Sequence, residues 1–177
     1  LTGSAMDKLG EAIQIRVERE EDRPVIRDLT RRAFAPMPFA TDDDQHLTDA
    51  LRARGGLTFS LVAELGGRIV GHAAFSPALA SDGSASWYAL GPISVEPGLQ
   101  RRGIGKSMIA EGVARRRRLN AAGCILVGDP AYYPRFGFRP FPLLAPEREP
   151  AEYFMILPLG TAEPKARMAF HAAFYGG

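Results

Sequence analysis

The chain has 177 residues, of which 46% are hydrophobic and 24% are charged. These are the fractions of an ordinary soluble globular protein, and the length suits one domain with a full core. The 22 Lys and Arg residues nearly balance 20 Asp and Glu residues. The resulting net charge of +2 is too small to attract the protein strongly to nucleic acid or to an anionic membrane. No apolar run approaches the roughly 20 residues that span a bilayer. We expect neither a nucleic-acid nor a membrane partner.

The few cysteines and histidines bear on the compartment and on metal binding. The single cysteine, Cys124, cannot form an internal disulfide, which suits a reducing compartment, so we expect a cytoplasmic protein. Three scattered histidines and one cysteine lack the spacing of metal ligands, so we expect no metal. Residues 1–5, ahead of Met6, resemble an expression-vector remnant, and we expect residues 6–177 to form a single domain.

The first third of the chain predicts one strand and two helices. Apolar and polar residues alternate from Ile13 to Glu18, which indicates a half-buried strand. Asp22 is suited to cap a first helix. A second helix should begin at Thr41, where Thr41 and Asp44 have the spacing of a capping box, and should end at Gly55-Gly56.

The remaining elements alternate between sheet and helix. The pattern predicts, in chain order, a hairpin of residues 57–65 and 68–76 joined by Gly66-Gly67, a strand Trp87–Val95, a helix from Ile104 to about Asn120, an apolar strand Gly123–Val127, and a second hairpin of residues 136–141 with 153–159. Strand, glycine turn, helix and strand form a βαβ unit, so the strands on either side of that helix should lie parallel. The fold class predicted is a single mixed α/β domain.

A basic, glycine-spaced turn between the strand and the helix carries the strongest functional signal. Gly103 and Gly105 lack the side chains that would keep an anion away from the backbone. The start of a helix also offers unpaired N–H groups and the positive end of the helix dipole. Arg101, Arg102 and Lys106 add positive charge at the same place. We interpret this turn as a cradle for a diphosphate.

The pair Gly91-Pro92 interrupts the strand that leads into this turn. Proline cannot donate a hydrogen bond to a sheet ladder, so the pair predicts a bulge or a splay between strands. A splay beside an anion cradle would form a slot for the rest of a ligand.

Two nucleotide-binding motifs match the turn less well. Gly105-Lys106-Ser107 resembles the end of a P-loop, but Gln100 stands where that motif needs its first glycine. The dinucleotide fingerprint fails because Met108 stands where its third glycine should be. A P-loop nucleotide-binding protein is therefore a less favoured alternative.

Two separated motifs resemble the GNAT superfamily of acetyl-CoA-dependent N-acetyltransferases. Residues 100–105, Gln-Arg-Arg-Gly-Ile-Gly, match its Q/R-x-x-G-x-G/A motif, and residues 93–97 resemble the strand and V-x-P that precede it. Residues 132–138 resemble the tyrosine segment ending in Gly-Phe that follows the next strand. The resemblance extends from Ile13 to Leu159 and is closest to the YhbS-like branch of predicted acetyltransferases. It implies a GNAT-like fold, with a mixed twisted sheet splayed in the middle and helices on both faces.

The resemblance also implies roles for particular residues. The diphosphate of coenzyme A would bind the backbone N–H groups of Arg101, Arg102, Gly103, Ile104, Gly105 and Lys106. The pantetheine arm would lie in the splay and bond to the backbone of Ile93, Ser94 and Val95, and the Ile93 N–H would polarise the thioester carbonyl. Tyr133 would protonate the leaving thiolate, with Tyr132 as the alternative.

The implied reaction is transfer of an acetyl group from acetyl-CoA to a primary amine, on a small molecule or a peptide, by direct attack within a ternary complex. Cys124 has no visible basic partner, so we expect no covalent acyl-enzyme. A coenzyme A-binding regulator without turnover is the alternative. The acceptor is left open, and a homodimer is one expected state for a domain of this size.

Several polar residues are interpreted as structural. Glu64, His72 and Glu96 are candidates for a base, but a strand or surface role fits each better, and water can relay the proton instead. Asp129 is expected to cap the short helix after it. Arg115–Arg118 would point in four directions on a helix, so they do not predict a nucleic-acid site.

Overall fold

The computed structural model describes residues 13–37, 40–41, 43–84, 86–161 and 164–176. The strands and helices of these residues are β1 (Ile13–Val17), α1 (Arg23–Phe34), α2 (Leu47–Ala53), β2 (Phe59–Leu65), β3 (Arg68–Pro77), β4 (Leu79–Ala80), β5 (Trp87–Val95), α3 (Ile104–Arg118), β6 (Gly123–Val127), β7 (Arg139–Pro140), β8 (Phe154–Pro158) and β9 (Met168–Ala169). Short 3-10 helices lie in several connections, among them Tyr133–Phe136 and Ala172–Tyr175. The expected remnant at residues 1–5 lies outside the described residues.

Seven of these strands form one mixed sheet in the order β1-β2-β3-β5-β6-β8-β7. β5 and β6 pair in parallel, and the other neighbours pair antiparallel. The parallel pair flanks α3, as the βαβ pattern predicts, and the hairpin around Gly66-Gly67 is confirmed as β2 and β3. The fold class predicted from the sequence is therefore confirmed. β4 and β9 form a separate two-stranded sheet that the sequence pattern did not reveal.

The sheet opens between β5 and β6. These strands pair at only three positions among the described residues, Trp87 with Gly123, Tyr88 with Cys124 and Ala89 with Ile125. Beyond them, Leu90 and residues 93–95 of β5 pair only with β3, while Leu126 and Val127 of β6 pair only with β8. On β3, Ala73 pairs with Ile93 and Phe75 with Leu90, so two residues of β5, Gly91-Pro92, stand opposite one of β3. Both the bulge and the splay predicted from Gly91-Pro92 are confirmed.

Helices cover both faces of the sheet. In β2, Leu61 packs in the cluster that contains Ile104 and Met108 of α3, whereas the next residue, Val62, packs with Leu29 of α1. Because successive side chains of a strand point to opposite faces, α1 and α3 lie on opposite sides. We call these the α1 face and the α3 face.

One helix cap and one helix start differ from the sequence prediction. The Asp22 carboxylate makes no capping bond to α1 and instead accepts hydrogen bonds from Arg16 Nη1 at 2.6 Å and from the Arg19 N–H at 2.6 Å. A cation from β1 thus takes the oxygens that the prediction assigned to the helix. The second helix starts later than Thr41, with a 3-10 turn at Asp44–His46 before α2, although the Thr41 N–H does donate to Asp44 Oδ2 at 2.7 Å.

Candidate active site

The glycine turn places a bare helix start at the open side of the sheet. Arg101 and Gly103 both have positive φ, +64° and +87°, which turns the chain sharply into α3. Gly103 occupies the N-cap and offers no side-chain cap, and the Ser107 N–H donates to the Gly103 carbonyl at 3.0 Å to close the first helical turn. The N–H groups ahead of Ser107 have no carbonyl within the helix to bond. They remain available to a ligand.

The surroundings of this turn suit an anion. Apart from the residues next to Gly103 in sequence, no described atom lies within 4 Å of a Cβ built on it, so the approach to the backbone is open. Arg101, Arg102 and Lys106 are exposed, and the first turn of α3 carries no acidic residue. The helix dipole adds positive potential at the same point. The turn therefore has the space and the charge that a diphosphate requires.

The register of β5 decides which of its backbone groups face the slot. The Glu96 N–H donates to the Val70 carbonyl at 2.8 Å, so Glu96 and Val70 form a hydrogen-bonded pair. Such pairs alternate with non-bonded pairs along an antiparallel ladder. Ser94, opposite His72, then directs its backbone groups to β3, whereas Ile93 and Val95 direct theirs toward the slot.

The loop before α3 gives independent support for this alternation. Gln100 Nε2 donates to the Val95 carbonyl at 3.3 Å, which requires that carbonyl to point away from β3. The Ile93 N–H, two residues earlier, has the same orientation by the same alternation. The slot is thus lined on its β5 side by the backbone groups of alternate residues that point away from β3.

The segment after β6, which packs against α3, carries two tyrosines. A Cβ built on Gly105 would lie 2.9 Å from the Tyr132 hydroxyl, which places that hydroxyl beside the start of α3. The Tyr133 ring lies against Gly128 at the end of β6, where a Cβ would come within 2.4 Å of it. The two rings meet edge to face with centroids 5.0 Å apart.

Asp129 holds this tyrosine segment in place. Its carbonyl accepts hydrogen bonds from the N–H groups of Tyr132 and Tyr133 at 3.0 and 3.2 Å, and its Oδ1 accepts from the Ala131 N–H at 2.8 Å. The cap expected of Asp129 is wrong, because the 3-10 helix Tyr133–Phe136 has Tyr132 at its N-cap and no side-chain cap. The carboxylate instead closes a turn ahead of that helix, and the Asp129 carbonyl holds the backbone of the two tyrosines.

Burial raises the pKa values of both tyrosine phenols. Removal from water raises the pKa of Tyr132, and it raises the pKa of Tyr133 well above its usual range, with a smaller contribution from Tyr132 and from the Asp129 charge. Both phenols therefore stay protonated at neutral pH. Either can donate a proton, and neither is suited to remove one.

The three candidate bases all have structural partners. Arg16 Nη2 donates to Glu64 at 2.6 Å, and Arg32 Nη2 donates to Glu96 at 2.7 Å. His72 is fully buried, and burial lowers its pKa to about 3. The structural interpretation of these residues fits their surroundings, since the carboxylates are ion-paired and the imidazole stays neutral.

The cysteine and the arginine run also have structural roles. Burial raises the pKa of Cys124 to about 12, so its thiol is not an activated nucleophile. Arg116 is buried between the rings of Phe59 and Tyr88, with its guanidinium carbon 4.7 and 4.4 Å from their centroids. Arg115 pairs with Glu111 on its own helix. The four arginines do not form one basic face.

One contact at the site involves a residue that the sequence pattern left unassigned. Phe174 lies in the C-terminal segment, and its ring is 3.8 Å from a Cβ built on Gly91, at the bulge of β5. A β-bulge and an aromatic residue more than 80 positions apart carry no local signal of their contact. Only the folded chain shows that the α1 face of the bulge is covered.

The described residues hold neither a cluster of metal ligands nor a membrane-spanning helix. No group of three His, Cys, Asp or Glu side chains there could hold a metal ion. No helix in that part of the chain combines the length and the hydropathy needed to cross a membrane.

Known proteins share this architecture. The family described as "Acetyltransferase (GNAT) domain" matches residues 57–140. The "Uncharacterized N-acetyltransferase YhbS" of Escherichia coli strain K12 is 34% identical over 125 residues, which cover 70% of this chain and 72% of that protein. A GNAT family acetyltransferase from Brucella melitensis, crystallised in complex with acetyl-CoA, has a TM-score of 0.81 and 43% identity over 92% of this chain and 97% of its own. Escherichia coli YhbS in complex with CoA has a TM-score of 0.83 and 27% identity, covering 93% of this chain and 92% of its own.

Proposed function

Because this chain belongs to the GNAT superfamily of N-acetyltransferases, we propose that it transfers the acetyl group of acetyl-CoA to a primary amine by direct attack within a ternary complex. The observation that carries this proposal is the opening of an uncapped helix start, at Gly103, onto the slot between β5 and β6. An anionic head group and an extended thiol arm fit those two features together. The complexes of similar proteins with acetyl-CoA and CoA support the choice of co-substrate.

The turn from residue 101 to residue 106 would hold the diphosphate. The groups proposed to bind it are the backbone N–H groups of Arg101, Arg102, Gly103, Ile104, Gly105 and Lys106. Because backbone groups make the contacts, replacing a side chain at Arg101 or Lys106 should weaken binding less than adding one at Gly103.

The pantetheine arm would lie along β5 in the manner of an added strand. Ile93 and Val95 supply the backbone groups that face the slot, while the backbone of Ser94 is directed to β3 and its hydroxyl donates to Thr30 Oγ1 at 3.5 Å. We assign the Ile93 N–H to the thioester carbonyl oxygen, which gains negative charge during attack. One oxyanion donor of this kind contributes about 3 kcal/mol to lowering the barrier.

Tyr133 is the proposed general acid. Its raised pKa keeps the phenol protonated, so it can deliver a proton to the departing thiolate, whose conjugate acid has an ordinary pKa of about 8.5. Tyr132, with its hydroxyl beside Gly105, is nearer the diphosphate end of the slot and is the alternative. The nucleophilic amine would lose its proton through water, since Glu64 and Glu96 are ion-paired.

The acceptor class proposed is a primary amine of a small molecule or a peptide. A homodimer in the cytoplasm, without a metal, remains the expectation from the sequence. The alternative of a coenzyme A-binding regulator differs from the enzyme only in turnover.

Thiol release separates the enzyme from the regulator. Purified protein is incubated with acetyl-CoA and a panel of amines (a polyamine, an aminoglycoside, an amino acid and a peptide with a free N-terminus), and free thiol is measured. The enzyme should release thiol faster with at least one amine than with none. Tight binding of coenzyme A without amine-dependent release would favour the regulator.

A further inference from the structure

The C-terminal segment 168–175 is fixed across the α1 face of the sheet. β9 at its start pairs with β4, and beside it the Ser81 N–H donates to the Arg167 carbonyl at 3.0 Å. Met168, Phe170 and Ala173 are buried. We refer to residues 168–175 as the C-terminal strap.

The strap reaches both α2 and the bulge of β5. The His171 ring lies against the chain just after α2, where a Cβ built on Gly56 would come within 2.8 Å of it. His171 Nδ1 also accepts a hydrogen bond from the Ala173 N–H at 3.1 Å, which stabilises the turn that carries Phe174. The Phe174 ring packs on Phe170 with centroids 5.1 Å apart. Phe174 is therefore held in position from two sides.

Phe174 approaches the bulge from the face opposite to α3. Trp87 and Ala89 of β5 share a buried cluster with Phe170, and Phe174 packs against it, whereas Leu90 lies in the cluster of α3. In the described part of the chain, the Phe174 ring supplies the one atom within 4 Å of a Cβ built on Gly91, apart from neighbours in sequence. This ring therefore covers the bulge on the α1 face, at the residue where β5 parts from β6.

The slot has a defined direction and a defined end. If the proposed function holds, the diphosphate sits at Gly103 and the arm runs past Val95 to the Ile93 N–H, so the acyl group points toward Gly91. One residue pair further, Ala89 and Ile125 are joined in the sheet, which closes the slot ahead of the acyl chain. On the α3 face, Leu90 is packed in the buried cluster with Ile104 and Met108, so an acyl chain longer than acetyl would extend toward the α1 face, where Phe174 lies.

We propose that Phe174 sets the length of the acyl chain, so that the protein accepts acetyl-CoA and excludes longer acyl-CoA thioesters. The proposal rests on the proposed function and adds a specificity-determining residue to it. A mismatch of one methylene in a closed apolar pocket changes discrimination by about 10- to 200-fold, and a rigid aromatic wall is suited to impose it.

Binding of acyl-CoA thioesters tests this without knowledge of the acceptor. Calorimetry gives the Kd of coenzyme A, acetyl-CoA and hexanoyl-CoA for the wild type and for Phe174→Ala. The wild type should bind hexanoyl-CoA at least about 10-fold more weakly than acetyl-CoA, and Phe174→Ala should remove most of that difference while the Kd of coenzyme A stays unchanged.

A matched control and a second variant make the outcome decisive. Phe141→Ala removes another partly buried ring from the same cluster, and it should keep the wild-type discrimination. Phe174→Leu, a smaller change, should give an intermediate shift even if Phe174→Ala does not fold. Equal discrimination in the wild type and Phe174→Leu, with normal binding of coenzyme A, would overturn the proposal. If the wild type does not bind coenzyme A at all, the proposed function is wrong instead.

Discussion

The hydroxyl of Tyr132 lies 2.9 Å from the position that a Cβ would occupy on Gly105. The glycine on α3 and the tyrosine after β6 thus share one space at the mouth of the slot. Gly105 is buried within the first turn of the helix, where its missing side chain gives room to the phenol. The glycine-spaced motif therefore serves a packing requirement as well as the approach of an anion.

Gly105→Ala should displace Tyr132 and weaken the binding of coenzyme A. The substitution should not destabilise α3 itself, because Ala is favoured over Gly in helices by about 0.5–1 kcal/mol. In a Tyr132→Phe background the clashing oxygen is absent, so the same substitution should cost less. Calorimetric Kd values for the four proteins of this cycle should show a coupling of about 0.5–3 kcal/mol. Strictly additive effects would mean that the two residues do not share this space.

Tyr133→Phe should slow acetyl transfer and leave the binding of coenzyme A nearly unchanged. Loss of a general acid typically reduces the rate by about 10²–10⁴-fold, and the buried ring keeps its packing on Gly128 without the hydroxyl. Steady-state thiol release measures the change. Tyr132→Phe is the matched control, and a larger loss of turnover there than in Tyr133→Phe would transfer the acid role to Tyr132.

His72 should make the stability of the protein depend on pH. Burial, with a smaller contribution from the charge of Arg52, lowers its pKa from 6.5 to about 3. Below pH 6.5 the unfolded chain binds a proton that the folded chain does not, so stability falls as the pH drops from about 6.5 toward 3. The wild type should lose about 2 kcal/mol more than His72→Gln between pH 8 and pH 5. Urea unfolding at both pH values checks this, and equal losses in the two proteins would contradict it.

Local patterns predicted the elements that build the site. Three elements follow one another in sequence: the strand with Gly91-Pro92, the glycine turn at 101–106 and the strand Gly123–Val127. Their apolar runs and their turn residues indicate their conformations with little reference to the rest of the chain. The parallel pairing of β5 and β6 then follows from the crossover through α3. The elements around the candidate site were predictable because they lie mostly in one continuous stretch of the chain.

Contacts between distant residues could not be predicted in the same way. Leu79 of β4 pairs with Ala169 of β9, and each strand is two residues long, too short to show a period. The Asp22 carboxylate had the sequence context of a helix cap, but Arg16 of β1 lies within 2.6 Å of it in the folded chain. The Arg16 guanidinium makes two hydrogen bonds to the Asp22 carboxylate and carries a full opposite charge, whereas a helix N–H offers one bond and a partial charge, so the tertiary contact prevails.

The diphosphate cradle is tested most directly by the Kd of coenzyme A for Gly103→Glu, measured by calorimetry beside Gly83→Glu. Both glycines have positive φ, +87° and +77°, and open space around them, so the two substitutions strain the backbone alike, but only Gly103 stands at the start of α3. A carboxylate at Gly103 should abolish measurable binding, while Gly83→Glu should bind as the wild type does. Undiminished affinity in a folded Gly103→Glu variant would contradict the cradle and the function built on it.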